Sequence, residues 1–396
     1  MTCEEAYASI EGCARDHELI ELLCDLLRYP SPRTEQLEAD PQIKKFIREM
    51  VAPRFADLTG TAGAIDSMGN LIWRHGGSGV DGFLLMAYAM TFPAASMPQP
   101  FSGALVDGEP FGVAGQCALG RGACEQKGAL AAMIYAAALV TRSRVKLRAP
   151  LILAVSLAGE TGRHDAACSI LQKDEIHARS AIVGLGTGNR ICLGNKGRID
   201  VEIIVCGKSA HSSMPWEGVN AIDGFRRVME RLDRLALPSA HTGLGHATLT
   251  LTHVSSAPEI SHTIPDHCRL ILDRRLLPRE NPEAAFEEIQ KALGDVTGFA
   301  VEAKAGAFMY PSEVNADCAA ATAVAHATQA IRKRQAEVCY SPAALDAGFL
   351  NRSGIETIMF GPGDLNLAHT DRDLVSLEEV RDAAKIYALT ALQSLA

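Results

Sequence analysis

The sequence has no Cys-x-x-Cys pair, no cluster of lysine and arginine, and no apolar run near the ~20 residues that a membrane span requires. Eleven cysteines, an odd number, are scattered from Cys3 to Cys339. The first residues are polar and acidic and do not resemble a targeting segment, so the cysteines read as reduced thiols in a cytoplasmic enzyme. A formal net charge of −9 without a basic patch argues against a nucleic-acid partner, and the missing apolar span argues against a membrane one. Internal repeats and low-complexity tracts are also missing. What remains is a chain of 396 residues with ordinary globular composition, long enough for two domains with separate cores.

Apolar patterning divides the chain. Residues 17–28 have helical spacing and stop at Tyr29-Pro30-Ser31-Pro32. Continuous apolar runs at 83–90, 151–157 and 181–185 have the length of buried strands. The Ala-rich stretch 127–140 between the first two reads as a buried helix. Strand–helix–strand alternation of this kind predicts an α/β sheet with parallel strands. The middle differs. Residues 198–207 alternate polar and apolar, a helix is expected at 220–235, strands at 247–253 and 268–276, and a helix at 282–293. These form a small α+β unit. A helix at 316–334, a strand at 356–360 and a terminal helix from Ser376 then complete the α/β part.

The segment GRGACEQKG, Gly120 to Gly128, resembles the metal-site signature of the dinuclear zinc deacylases and exopeptidases: acetylornithine deacetylase, succinyl-diaminopimelate desuccinylase, aminoacylase and carboxypeptidase G. Further matches are the Glu before Thr-Gly in AGETG, the run GKSAHSSMPWEGVNAI, LDRRLLP, and FGPGDLNLAHT. The resemblance covers nearly the whole chain. It implies a catalytic domain at 1–191 and 305–396, interrupted by an α+β dimerisation domain at 192–304, and a homodimer.

It also implies a site that is altered on one side. Where the family has the first-metal His and its orienting Asp, this chain has Tyr88 and Met90. The other first-metal ligand is replaced by Leu185 and the general base by Gly159. A phenol, a thioether and an alkyl group are poor zinc ligands or none at all. The second-metal ligands persist as Glu125, Glu160 and His369, with Glu125 in place of the bridging Asp. Cys124 and His164 lie close in sequence and are possible additional ligands. On the substrate side, His211 matches the insertion-domain His that stabilises the oxyanion across the family's dimer, and His262 stands where the family has Asn. Arg275 matches the Arg that binds a substrate carboxylate, a task suited to its planar fork. The Gly361–Gly363 turn would offer backbone N–H groups to an anion.

Each assignment has a plainer counterpart. Glu125, Glu160 and His369 could be a polar cluster holding water; Cys124 a small buried hydrophobe; Tyr88 a packing aromatic; Arg275 a structural partner of Asp273 or Asp266. Three functional readings compete. The first is a hydrolase with one divalent metal, Zn or Mn, cleaving an amide or related C–N bond in a small carboxylate-bearing substrate, with Tyr88 protonating the leaving group. The second is an enzyme without metal, or one performing proton transfer or elimination on a small acid, using Tyr88, Cys124, His164 and His369. The third is a non-catalytic binding homologue. The first is the leading reading.

Overall fold

The structure is a computed structural model that describes residues 2–159, 161–173 and 176–396. The chain forms two compact units. The large one comprises residues 1–194, 314–340 and 349–396, and the small one comprises 195–313 and 341–348.

In the large unit the three apolar runs become strands Gly82–Tyr88, Pro150–Ser156 and Ala178–Gly184. Gly82–Tyr88 is buried throughout, as a strand covered on both faces must be. The sheet order is 64–65, 71–76, 150–156, 82–88, 178–184, 356–360, 191–195. Neighbours from 150–156 to 356–360 run parallel, and Leu71–Gly76 adds an antiparallel strand. The expected buried helix is Gly128–Ser143, and every residue from Gly128 to Val140 is inaccessible. It packs against the terminal helix Leu377–Leu395, whose N-cap Ser376 accepts from Glu379 N–H. The side chains of both helices join those of the strands in one apolar core. A short antiparallel sheet, 374–376 beside 116–119 beside 104–107, was not foreseen.

In the small unit Gly197–Cys206 alternates strictly between buried and half-exposed residues. It lies in a four-stranded antiparallel sheet with Thr248–Ala257, His267–Leu276 and Ala300–Met309. Helices Ala221–Leu232 and Pro282–Leu293 cover the apolar face, capped by Asn220 and Asn281. The α/β class with a smaller α+β unit is thus as expected. The boundary at 304 is not, because it cuts Ala300–Met309, which pairs with Gly197–Cys206 as far as Met309 opposite Arg198. Ser341–Gly348 also joins the small unit, which sequence spacing did not indicate.

Candidate active site

The Gly120–Gly128 segment is a tightly held turn in the large unit. Gly122 takes φ 82°, a left-handed conformation suited to glycine, and Ala123–Lys127 forms one wide π-type turn. The Asp373 carboxylate accepts from Gly122 N–H at 2.6 Å and from Cys124 N–H at 3.0 Å. Arg121, fully buried, donates to the same carboxylate at 3.2 Å and to the carbonyls of Thr370 at 3.1 Å and Ala94 at 3.0 Å. Lys127 is buried below the turn and donates to the carbonyls of Leu26 and Tyr29 at 2.8 and 2.7 Å. Burial lowers its pKa to about 7 against an opposing pull from Asp373.

This frame joins two of the expected ligands. Glu125 sits on the turn, and His369 lies four residues before Asp373. His369 Nε2 is 3.1 Å from Glu125 Oε2. The imidazole stacks on Phe92, with centroids 3.9 Å apart and planes 15° apart. His369 has φ 62°, an uncommon conformation for a residue with a Cβ. The loop around it is over-determined, which such a conformation requires: Arg121 binds Thr370 O, and Thr370 Oγ1 binds Leu367 O at 2.7 Å. Arg121 was in view in the sequence without a role, and Asp373 was missed. A buried guanidinium needs a carboxylate, and that requirement was the available signal.

Two atoms bound to one tetrahedral zinc at ~2.0–2.1 Å stand ~3.3 Å apart, close to the observed separation of the imidazole and the carboxylate. These two donors therefore fit two positions around one cation with little movement. Glu160, the third expected ligand, lies outside the described residues. Among the described residues no three His, Cys, Asp or Glu side chains are grouped to hold a metal.

The other positions are packed. Tyr88, Met90 and Leu185, which motif order would set at the family's first-metal positions, are buried. Gly159 lies against the Met90 carbonyl, and a Cβ there would come within 2.3 Å of that oxygen. Cys124 is fully buried. Burial, followed by the charge and hydrogen bond of Asp373, keeps its thiol protonated, which disfavours a ligand or nucleophile. Its backbone is clasped by two glycines, since a Cβ on Gly186 or Gly363 would meet Cys124 O at 1.9 or 2.4 Å. His164 is buried and stacked on Phe349, centroids 5.2 Å apart.

The Gly361–Gly363 turn departs from expectation. Gly361 N–H donates to Thr187 Oγ1 at 3.2 Å and Gly363 N–H to the Glu379 carboxylate at 2.8 Å. Pro362 has no N–H to offer. The turn therefore has no donor left for an anion, and its glycines serve close packing against Cys124.

In the small unit, Ser213 N–H donates to His211 Nδ1 at 3.2 Å and Ser213 Oγ stands 2.8 Å from the same nitrogen, an arrangement that favours the Nε2–H tautomer. His262 lies beside it, ring centroids 5.9 Å apart, and its carbonyl accepts from Ser212 N–H. The structure thus brings together the two histidines that the sequence nominated. Arg275 grips Asp273 bidentately at 2.7 and 3.1 Å, the plainer of its two readings, while Asp266 is engaged by Ser209 and His267. Arg198 also binds Asp200 and Asp273. Lys196 stands close enough to Arg275 for burial and that charge to lower its pKa. Lys196 itself donates to His246 O at 2.6 Å.

Residues 193–299 match the family described as the peptidase dimerisation domain. Acetylornithine deacetylase of Myxococcus xanthus is 28% identical over 269 residues, covering 66% of this chain and 68% of its own. Among solved structures, an M20-family metallo-carboxypeptidase from Sulfolobus solfataricus superposes with a TM-score of 0.77 at 16% identity, covering 96% of this chain and 99% of its own. A dinuclear metal-binding peptidase of the same family from Bacillus subtilis gives 0.69 at 16%, covering 96% and 98%. The resemblance to the M20 deacylases and exopeptidases read from the motifs is thereby borne out, and these relatives are hydrolases of C–N bonds.

Proposed function

We propose that this chain is a hydrolase of an amide C–N bond in a small carboxylate-bearing substrate, using one divalent cation, Zn or Mn, held by Glu125, Glu160 and His369. The observation that carries the reading is the 3.1 Å approach of His369 to Glu125 on a clamped frame, together with the burial of Tyr88, Met90 and Leu185. Such a cation, when bound, polarises a carbonyl and acidifies water, which offsets the missing carboxylate at Gly159. The chain's own groups do the rest. By resemblance to the family, His211 of one subunit donates through Nε2–H to the oxyanion developing in its partner's site, a shared site in which His262 is a second donor. The Tyr88 hydroxyl hands a proton to the departing nitrogen. The substrate carboxylate is drawn to Arg275, which exchanges Asp273 for the ligand. The dimerisation-domain match supports a homodimer assembled through the small unit, which exposes Met214, Trp216, Val254 and Ile260.

The test is turnover of a panel of N-acyl amino acids and of the matching neutral amides with Zn or Mn supplied. Hydrolysis of the acids, abolished by His369→Ala, is expected. Arg275→Ala should raise KM for the acids at least tenfold and leave that for the amides unchanged. Equal effects on both classes would show Arg275 to be structural, and no turnover of any C–N substrate would refute the proposal.

A further inference from the structure

Cys192 and Cys339 have no part in the site just described, yet the fold sets them side by side. Cys192 lies on strand Ile191–Asn195 and Cys339 on Val338–Ser341, and the two strands pair. Ile191 N–H donates to Glu337 O at 2.8 Å, and Lys196 N–H donates to Ser341 O at 3.1 Å, so the strands run in the same direction. In a parallel ladder the first of these bonds sets Ile191 beside Val338, and the next pair in that register is Cys192 beside Cys339; the second bond is one residue out of it, so the register shifts before Lys196. Paired strands stand about 4.7–4.9 Å apart, inside the range of about 4.4–6.8 Å that a disulfide spans between Cα atoms.

Side-chain placement agrees with this: Cys192 Sγ–H donates to Gly194 O at 3.4 Å, and a thiol–thiol hydrogen bond contributes to the opposite pKa shifts of the two cysteines. Cys192 is fully buried and Cys339 is partly exposed. The shared bond lowers the pKa of Cys339 and raises that of Cys192. Arg190 draws both down, while Glu337 and burial oppose this at Cys339. One thiol is thus reachable and inclined to ionise, and the other waits in contact behind it. That is the arrangement of an attacking and a resolving cysteine.

We propose that Cys192 and Cys339 are a reversible dithiol–disulfide pair, oxidised by exchange with a small-molecule disulfide. The Cys339 thiolate attacks one sulfur of the reagent, forming a mixed disulfide and releasing one thiol. Cys192 then attacks Cys339 Sγ, gives up its proton and releases the second thiol. Two protein thiols and one reagent disulfide become one protein disulfide and two small thiols. The position gives the bond its consequence. The chain leaves the large unit after Gly194 and again after Tyr340, so the cross-link closes a loop that contains all of 195–313.

The experiment incubates the native full-length protein with oxidised glutathione, alkylates the remaining thiols and maps peptides by mass spectrometry. A 192–339 cross-linked peptide lacking two hydrogens is expected, reversed by dithiothreitol. A protease nick within 195–313 should then leave the fragments joined on a non-reducing gel and separate on a reducing one. In Cys192→Ser, glutathione should instead accumulate on Cys339. The proposal is overturned if both cysteines of the native chain remain alkylatable, if Cys339 stops at the glutathione adduct, or if either pairs with another cysteine.

Discussion

At Gly159, where motif order would place the family's general base, the backbone is crowded. With Met90 O 2.3 Å from where a Cβ would stand, the backbone has settled into space that a side chain would need. Met90 itself, where the family has an orienting Asp, is fully buried. Gly159→Glu should therefore fail to restore a general base and should destabilise the fold by about 1–3 kcal/mol through overpacking. Urea denaturation and kcat of the same preparation measure the two effects. A stable variant with raised kcat would show that the position still accommodates the family's base. Which residue stands at each motif position was legible at this scale, and motif order nominated a role for it. Commitment of the backbone was not. Nothing in G-P-G tells that Thr187 and Glu379 occupy its amides, and nothing in D-x-R tells that Asp273 occupies its Arg. Those partners are set by three-dimensional neighbours rather than by spacing.

Between elements, the Arg121–Asp373 pair is the joint on which the site depends. One carboxylate receives the Gly122 and Cys124 amides and the Arg121 guanidinium, and Arg121 extends to Thr370 O beside His369. Removing one partner of a fully buried pair leaves an uncompensated charge, a loss of about 3–5 kcal/mol. Asp373→Ala should show that loss in denaturant and should weaken metal binding as well, because the Glu125 and His369 segments lose their common anchor. Unchanged stability would mean that the pair is not what holds the turn. Elements with clear periodicity were legible in advance: Gly197–Cys206 by alternation, Gly128–Ser143 by its alanines, Glu356–Phe360 by its apolar run. Ala300–Met309 was not, since its alanines and Gly306 have weak strand preference and pairing with Gly197–Cys206 decides its state. That one omission moved the end of the small unit from 304 to 313.

For the molecule as a whole, two quantities follow. Sedimentation at micromolar concentration should give twice the chain mass, because the small unit matches a dimerisation domain and exposes Trp216 at 74% of its surface. A monomer with full turnover would remove the shared site from the account. The second quantity is metal content. In the proposed site one metal position survives and the other is filled by buried Tyr88, Met90 and Leu185. Elemental analysis of protein purified without chelator and reloaded with zinc decides it. One equivalent per chain, lost in His369→Ala and retained in Tyr88→Phe, is the result expected. Two equivalents per chain, or none, would contradict the claim.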